Sequence, residues 1–181
     1  MKLPAGKYPV GEFSEKAKKI QFVNTEERTA YFQVVQAGYD LELPNKSISN
    51  AIEISRTFKN LNGRNTKKAE LGEEIEVHIR LRSINDRTLH DIAIVDLLPT
   101  GLEVIATSLR NSQNGSWNPD YVDTREDRVV FYGSATTAIR EIVYKVRAIN
   151  KGTFIVPPLY GESMYDKNIF GYSPNENFIV E

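Results

Sequence analysis

The sequence contains no cysteine, which excludes disulfides, thiolate metal sites and a cysteine nucleophile from this chain. It has no apolar run that approaches the roughly 18 residues of a membrane span, so we expect no direct membrane insertion by this chain. Neither sign of charge is in excess, because 23 Lys and Arg residues are interspersed with 24 Asp and Glu residues. We therefore expect no nucleic-acid partner, since proteins that bind nucleic acids need a basic field.

Residue patterns that carry catalysis are also scarce. The two histidines, His78 and His90, are predicted on the exposed face of a strand and beside a turn, without a partner motif for nucleophilic or metal chemistry. The acidic cluster at residues 118–127 lacks the spacing of a calcium loop, and we interpret it as a solvated loop. We expect no catalytic residue, no metal site and no cofactor, and therefore no enzyme.

The pattern that the sequence does have is the alternation of β-strands. Residues 73–83 place four apolar side chains on one face: Ile75, Val77, Ile79 and Leu81. Residues 139–148 repeat the pattern with Ile142, Tyr144, Val146 and Ala148. Turn signals separate further strand candidates at residues 29–37, 51–59, 91–97, 101–107, 128–132, 153–156 and 177–180. No stretch sustains a helical period, so the sequence predicts an all-β protein with an antiparallel β-sandwich.

The loops and strand ends have local signals of their own. Pro99 and Gly101 predict a tight reversal between two apolar strands, with Leu98 and Leu102 closing the end of the sandwich. The prolines at 157–158 should end a strand, because proline cannot donate to a ladder. The whole segment 157–174 is interpreted as a loop because of its Pro, Gly and Ser content. The lone tryptophan, Trp117, is interpreted as a plug at a sandwich end, with a ligand platform as the alternative.

The chain divides near residue 45. Before it, a Pro- and Gly-rich entry is followed by strand candidates around Phe22 and Phe32. Two or three strands alone are only marginally stable, so this segment must pack on the sandwich or be the end of a neighbouring domain. The opening at residues 1–13 looks like a chain entered in mid-protein. At 181 residues, the chain is long enough to bury a real core.

Four separated blocks carry a resemblance to a known family. They read "IVDLLPTGLEV" at 94–104, "YVDTREDRVVFYG" at 121–133, "IVYKVRAINKGTFIVPP" at 142–158 and "ESMYDKNIFG" at 162–171. In this order they resemble the C-terminal macroglobulin-like domain, the tenth of its kind, of the bacterial alpha-2-macroglobulins. The resemblance covers roughly residues 52–181, and it implies a macroglobulin-like, immunoglobulin-like sandwich.

The upstream stretch "AYFQVVQAGYDLELP" at 30–44 is similar to the strand and "GYD" that lead out of the family's preceding CUB-like domain. The resemblance thus implies two parts. Residues 1–50 would be a short β segment from the end of a CUB-like domain with its linker, and residues 51–181 would be the macroglobulin-like domain.

The family implies a function that lies mostly outside this chain. Its members are periplasmic, broad-spectrum inhibitors of host or competitor proteases, and the full-length protein could be lipid-anchored to the inner membrane. A protease cleaves a bait region, the inhibitor rearranges, and the protease is trapped. One branch then attaches to the protease through a Cys-Xaa-Glu-Gln thioester in a separate domain, and a second branch lacks that motif. This sequence has neither thioester nor recognisable bait region, so its implied role is structural docking onto the thioester-domain region.

The resemblance also implies a role for Met164, Tyr165 and Asp166. In members with a thioester, this Met-Tyr pair covers the reactive group, while in the other branch it would be an interdomain contact. Asp166 is predicted to fix the loop by accepting backbone hydrogens from Lys167 and Asn168. The alternative is that Met164 or Tyr165 folds back onto the edge of its own sandwich.

Two other function classes stay open from the sequence. An adhesive or glycan-binding module would use exposed aromatic side chains, with Trp117, Tyr121 and Tyr172 as the candidates. A hydrolase with an unrecognised site is the other class, although the sequence supplies no nucleophile and base for it.

Overall fold

The computed structural model describes residues 19, 21–25, 27–29, 31, 43–110 and 115–181. Its contacts divide the chain into two units, Met1–Tyr39 and Asp40–Glu181. The strand predicted at 29–37 lies almost wholly outside the described residues, as does most of the segment interpreted as CUB-like. The division into domains at residues 50 and 51 therefore stays a prediction, and the fold below is that of the second unit.

Among its described residues, this unit has thirteen strands and one short helix. The strands are β1 (Ile48–Asn50), β2 (Ile52–Asn60), β3 (Lys68–Ala69), β4 (Glu74–Ser83), β5 (Leu89–Leu97), β6 (Leu102–Val104), β7 (Tyr121–Thr124), β8 (Arg128–Ala135), β9 (Arg140–Ala148), β10 (Gly152–Val156), β11 (Tyr160–Ser163), β12 (Phe170–Tyr172) and β13 (Glu176–Val180). The helix is α1 (Ala106–Arg110). The all-β prediction is confirmed. No helix in the described part of the chain is long and apolar enough to cross a bilayer.

The strands form a sandwich because one long ladder folds over itself. The ladder runs β6-β9-β4-β2-β1-β12-β11-β5-β8-β7, and a smaller sheet runs β10-β13-β3. The rings of Phe131 on β8 and Tyr144 on β9 lie 5.8 Å apart, although these strands are near opposite ends of the ladder. We call β6, β9, β4 and β2 the charged layer, and β12, β11, β5, β8 and β7 the aromatic layer, after their outer faces. Every pairing between these named strands is antiparallel except the parallel pair β13 and β3.

The core lies between the two layers and is made of the inward residues that alternation predicts. In β4 and β9 all eight of the predicted inward side chains are buried: Ile75, Val77, Ile79, Leu81, Ile142, Tyr144, Val146 and Ala148. The aromatic layer supplies Ile92, Ile94, Val129 and Phe131 from its own inner face. Burial of this apolar surface is the main favourable term for folding of the unit.

The predicted reversal at Pro99 and Gly101 and the predicted strand end at residues 157–158 are both confirmed. Leu102 donates its N–H to the carbonyl of Pro99 over 3.0 Å, and Leu98 and Leu102 are both buried. The ring of Phe154 packs against Gly101, where a Cβ atom would collide with it. β10 ends at Val156, and Pro157 and Pro158 then carry the chain from the small sheet into the aromatic layer.

The strand predicted at 101–107 is too long. β6 ends at Val104, and α1 begins at Ala106. The hydroxyl of Ser108 donates to the carbonyl of Ile105 over 2.6 Å and accepts the N–H of Lys145 over 2.9 Å. Such local side-chain bonds compete with a ladder, which explains why the extended chain turns here.

The acidic cluster at 118–127 is not a simple solvated loop, and that prediction was wrong over four of its residues. Tyr121–Thr124 form β7 at the edge of the aromatic layer, paired with β8 in the register Tyr121 to Tyr132. Val122 packs on the core, while Asp123 forms an ion pair with Arg125 over 3.0 Å. The edge position explains the polar sequence, because one side of an edge strand faces water.

The segment 157–174 is also more regular than predicted, since β11 and β12 form a hairpin within it. Its glycines, which suggested turns, face the core instead. A Cβ atom on Gly161 would lie 2.7 Å from Ile94 Cδ1, and one on Gly171 would lie 2.8 Å from the carbonyl oxygen of Ile52. Glycine is needed at these positions because the backbone of the hairpin comes close to atoms of the neighbouring strands.

Candidate functional site

The loop at residues 164–169 joins β11 to β12 and carries the predicted site residues at its tip. Its ends are closed by backbone hydrogen bonds, from Ser163 N–H to the carbonyl of Ile169 over 2.9 Å and from Ile169 N–H to the carbonyl of Asp166 over 3.0 Å. Asp166 Oδ1 accepts from the backbone and side-chain nitrogens of Asn168 over 3.0 and 3.1 Å. The predicted bond from Lys167 is not formed in the described loop. Asp166 thus fixes the loop through Asn168.

The loop is also tied to β5. The N–H of Met164 donates to the carbonyl of Asp91 over 2.9 Å. Asp91 has a positive φ of 55°, at a point where the register of β5 against β8 shifts between Leu89 and Ile92. Asp tolerates this left-handed conformation better than most residues, and the bulge turns its carbonyl toward the loop. The backbone at the loop tip is therefore held by a neighbouring strand as well as by the hairpin.

The side chains at the tip are exposed although their backbone is fixed. Met164 is 53% exposed and Tyr165 is 80% exposed. The alternative in which one of them folds back on the sandwich edge is therefore not what the structure shows. An apolar pair on a fixed backbone can contact another surface with little loss of loop entropy.

A second feature, which the sequence analysis missed, is a buried polar cluster in the core. Arg56 on β2 forms an ion pair with Asp96 on β5, and both side chains are fully buried. Arg56 Nη2 also donates to the carbonyl of Pro157 over 2.6 Å, and the hydroxyl of Tyr144 donates to Asp96 Oδ2 over 2.6 Å. The alternating pattern indicates that Arg56 is buried, because Arg56 follows Ile52 and Ile54 on one strand face.

The surroundings of the cluster favour the charged form of Arg56 and the neutral form of Tyr144. Burial alone would lower the pKa of Arg56, but the carboxylate of Asp96 outweighs it and the pKa of Arg56 is raised. Burial, reinforced by Asp96, raises the pKa of Tyr144 well above its usual 10.0. The Nε of Arg56 has no hydrogen-bond partner and lies 3.7 Å from the carboxylate of Glu176. With its charges paired inside the core, the cluster is suited to joining the layers and has no free nucleophile for catalysis.

The two histidines do not form a reactive site. His78 points outward as predicted, but its side chain is only 12% exposed, because Glu76 and Glu141 approach its two nitrogens at 3.3 Å each. Burial opposes ionisation of Glu141, yet the hydrogen bonds from Arg80 and His78 outweigh it and lower the pKa of Glu141. His90 is exposed and contacts the hydroxyl of Ser134 over 3.1 Å. No group of three metal-ligating side chains occurs among the described residues.

The aromatic residues considered for glycan binding do not form one platform. Trp117 is buried, packs 6.3 Å from the ring of Phe131 and donates its Nε1–H to the carbonyl of Ser134 over 2.9 Å. Its interpretation as a plug is confirmed. Tyr121 and Tyr172 lie on the opposite, outer face of the aromatic layer, each beside another tyrosine.

Comparisons with known proteins agree on one family. A model of the bacterial alpha-2-macroglobulin MG10 domain matches residues 52–168. An alpha-2-macroglobulin homolog of Yersinia pestis is 37% identical over 198 residues, which cover 97% of this chain and 10% of that protein. The alpha-2-macroglobulin of Rickettsia conorii is 32% identical over 186 residues, which cover 99% of this chain and 10% of that protein. The chain thus spans about a tenth of the length of these curated relatives.

Two solved structures share the fold. Native alpha-2-macroglobulin of Escherichia coli, from domain MG7 to the C-terminus, gives a TM-score of 0.70 at 25% identity over 80% of this chain and 25% of that chain. Salmonella alpha-2-macroglobulin reacted with methylamine gives a TM-score of 0.67 at 27% identity over 79% of this chain and 10% of that chain. The chain therefore belongs to the bacterial alpha-2-macroglobulin family, and the match at residues 52–168 is to the family's MG10 domain.

Proposed function

We propose that this chain is the C-terminal structural and docking domain of a bacterial alpha-2-macroglobulin, and that the tip of its loop packs against the thioester-domain region of the same full-length protein. The observation that carries the proposal is the exposure of Met164 and Tyr165, at 53% and 80%, on a backbone fixed by hydrogen bonds. In a parent with a thioester, the pair shields that group from water and stray nucleophiles. In a parent without one, the pair is an interdomain contact.

The full-length protein, on this proposal, is a broad-spectrum protease inhibitor and not an enzyme. It acts in the periplasm on host or competitor proteases, and it traps them after they cleave a bait region elsewhere in the chain. The family membership and the exposed Met164 and Tyr165 at the tip of the loop support this role. The domain would hold the thioester-domain region in its native position until cleavage.

The chemistry of the tip suits a cover that must later be released. Methionine is a compliant apolar filler, and tyrosine is a stiff apolar plate with a polar edge. Together they can exclude water from a small group without a permanent bond. Neither side chain is charged, so burial of the pair carries no charge desolvation cost.

The test uses the full-length protein with Met164→Ala and Tyr165→Ala combined. If the parent has a thioester, we expect methylamine to react at least about tenfold faster with the variant, since burial of each side chain is worth about 1.5 kcal/mol or more. If it has none, we expect faster proteolysis at the junction between the domains. Ile155→Ala is the control, because Ile155 is also an exposed apolar side chain but lies on β10. Equal rates for the double variant, the control and the wild type would exclude the covering role.

A further inference from the structure

The outer face of the aromatic layer is unusually apolar for a surface. Six aromatic or aliphatic side chains at outward positions define what we call the aromatic face, which includes the adjoining residue of β1: Ile48, Tyr121, Tyr132, Tyr160, Phe170 and Tyr172. Strand register shows that they share one face. Ile48 pairs with Tyr172, Tyr172 with Tyr160, and Tyr132 with Tyr121. The face therefore runs from β1 across the layer to its edge at β7.

The rings on this face contact one another on the outer side of the layer, away from the core. The centroids of Tyr160 and Tyr172 lie 4.7 Å apart, and those of Phe170 and Tyr172 lie 6.0 Å apart. Tyr121 and Tyr132 form a second pair, 5.9 Å apart. The two groups are joined through β5, where Val95 pairs with Tyr160. Tyrosine and phenylalanine are enriched at the centres of protein interfaces.

The outer face of the charged layer is different in kind. Its strands carry Glu53, Glu74, Arg80, Arg82, Glu141 and Arg147 at outward positions, and these form ion pairs with one another. On the aromatic layer, the outward or exposed charged residues in the described strands are Asp91, Asp123, Arg128 and Glu162. Asp91 lies at the bulge of β5, and the other three already have a partner, which is Arg125, Asp127 or the hydroxyl of Tyr160 respectively. The sandwich thus has one outer face suited to water and one suited to an uncharged protein surface.

We infer that the aromatic face is an interdomain docking surface, and that its occupant is another folded domain of the same full-length polypeptide with an uncharged, apolar contact surface. The inference depends on the proposed function only in taking this chain to be one domain of a longer protein. The curated relatives are about ten times as long as the matched region, since the match covers 10% of each. Domains on one polypeptide have a high effective concentration for each other, so they can occupy such a face ahead of a free partner.

The test is cysteine labelling in the full-length protein with an uncharged maleimide, followed by mass mapping of the labelled peptides. Ile48→Cys and Tyr121→Cys report on the two ends of the face, where these residues are 46% and 63% exposed. Glu53→Cys is the matched control, because its side chain is 48% exposed on the charged layer. We expect both face positions to react at least about tenfold more slowly than the control. Adding Tyr172→Glu should speed labelling at Tyr121→Cys and leave Glu53→Cys unchanged.

Labelling of both face positions as fast as the control would overturn the inference. Protection that disappears on hundredfold dilution would show that a second copy covers the face, which also overturns it, whereas protection that persists supports a domain of the same chain. Met164→Cys, labelled in parallel, separates this inference from the proposed function. Slow labelling at Met164→Cys with fast labelling at Ile48→Cys keeps the loop proposal and removes the aromatic face. The reverse pattern keeps the aromatic face and removes the loop proposal.

Discussion

The hydroxyl of Tyr144 donates a 2.6 Å hydrogen bond to Asp96 Oδ2 in the centre of the sandwich, which joins the charged layer to the aromatic layer. The same carboxylate accepts from Arg56 on β2. A single buried acid thus contacts two strands of the opposite layer. Because such a group is costly to leave unpaired, this cluster favours the one packing of the layers in which all three side chains meet.

Tyr144→Phe should destabilise the chain by about 1.5 to 3 kcal/mol at neutral pH, since it removes a hydrogen bond to a buried charged group. Urea unfolding followed by circular dichroism measures the change. Tyr132→Phe is the control, because Tyr132 lies on the outer face, and we expect its effect to be within about 0.5 kcal/mol. A Tyr144→Phe variant as stable as the control variant would show that the hydroxyl contributes nothing.

The cost of Tyr144→Phe should shrink at high pH. Burial and Asp96 raise the pKa of Tyr144 well above its usual 10.0, so the folded state keeps a proton that the unfolded state loses. A raised pKa gives stability that is complete below the unfolded value and is lost as pH rises beyond it. Unfolding free energies measured between pH 9 and 11.5 should therefore converge for wild type and variant. Both proteins in this comparison should carry Tyr160→Phe, so that Tyr160 adds no pH dependence of its own. Burial and the bond to Glu162 raise the pKa of Tyr160 too. A gap that is constant over this range would contradict the argument.

Asp96→Ala should cost more than Tyr144→Phe, at about 3 to 5 kcal/mol, because it leaves the buried guanidinium of Arg56 without its carboxylate. The double variant Arg56→Met with Asp96→Leu removes both charges, and we expect it to recover most of the loss. Thermal and urea unfolding of Asp96→Ala, Tyr144→Phe and the double variant measure these differences in stability. If the double variant is less stable than Asp96→Ala alone, the penalty does not come from an unpaired charge.

Ile79→Asp should destabilise the chain by several kcal/mol, on the order of the whole stability of a small domain, because Ile79 is fully buried in β4. The neighbouring change Arg80→Ser is the control, since that side chain faces outward, and its loss should stay below about 1 kcal/mol. Circular dichroism melts of both variants test the strand assignment. Equal melting temperatures would mean that the alternation has been assigned to the wrong faces.

The 181-residue chain alone should not inhibit proteases, because trapping needs the bait region and the conformational change of the other domains. Elastase and trypsin, each assayed with an excess of the chain, should keep full activity on a protein substrate. Stoichiometric inhibition of either enzyme would remove the docking role and assign inhibition to this domain itself.

Alternation correctly predicted which residues of β4 and β9 face the core. Each of these strands has one buried and one solvated face, so apolar and polar residues alternate along it. The same logic was weaker for β7, β11 and β12. Tyr121–Thr124 lie at a layer edge with acidic neighbours, and Gly161 and Gly171 face the core where a larger residue would collide. Glycine and acidic residues are the usual signals of loops, so the sequence predicts loops where these strands lie.

The buried cluster shows a different limit of prediction from the sequence. Arg56 and Asp96 each continue an inward-facing set of isoleucines, so the sequence could have placed both in the core. It could not pair them, because they are 40 residues apart and belong to opposite layers. The loop tip was located from the family resemblance, whereas its anchorage to Asp91 depends on a bulge that alternation does not predict.

In the β11–β12 hairpin, different residues set the position of the loop tip and its surface chemistry. The position depends on the two core-facing glycines. Gly161 and Gly171 let the backbone of the hairpin come close to Ile94 and Ile52, and so they help to fix the position of the strands that carry the tip. Met164 and Tyr165 are largely exposed, so on the proposed docking role they form the contact surface of the tip. On that role, substitutions at 164 and 165 would change the contact surface while the sandwich is left intact, whereas an added methyl group at 171 would collide with the carbonyl oxygen of Ile52 and force the backbone that carries the tip to shift.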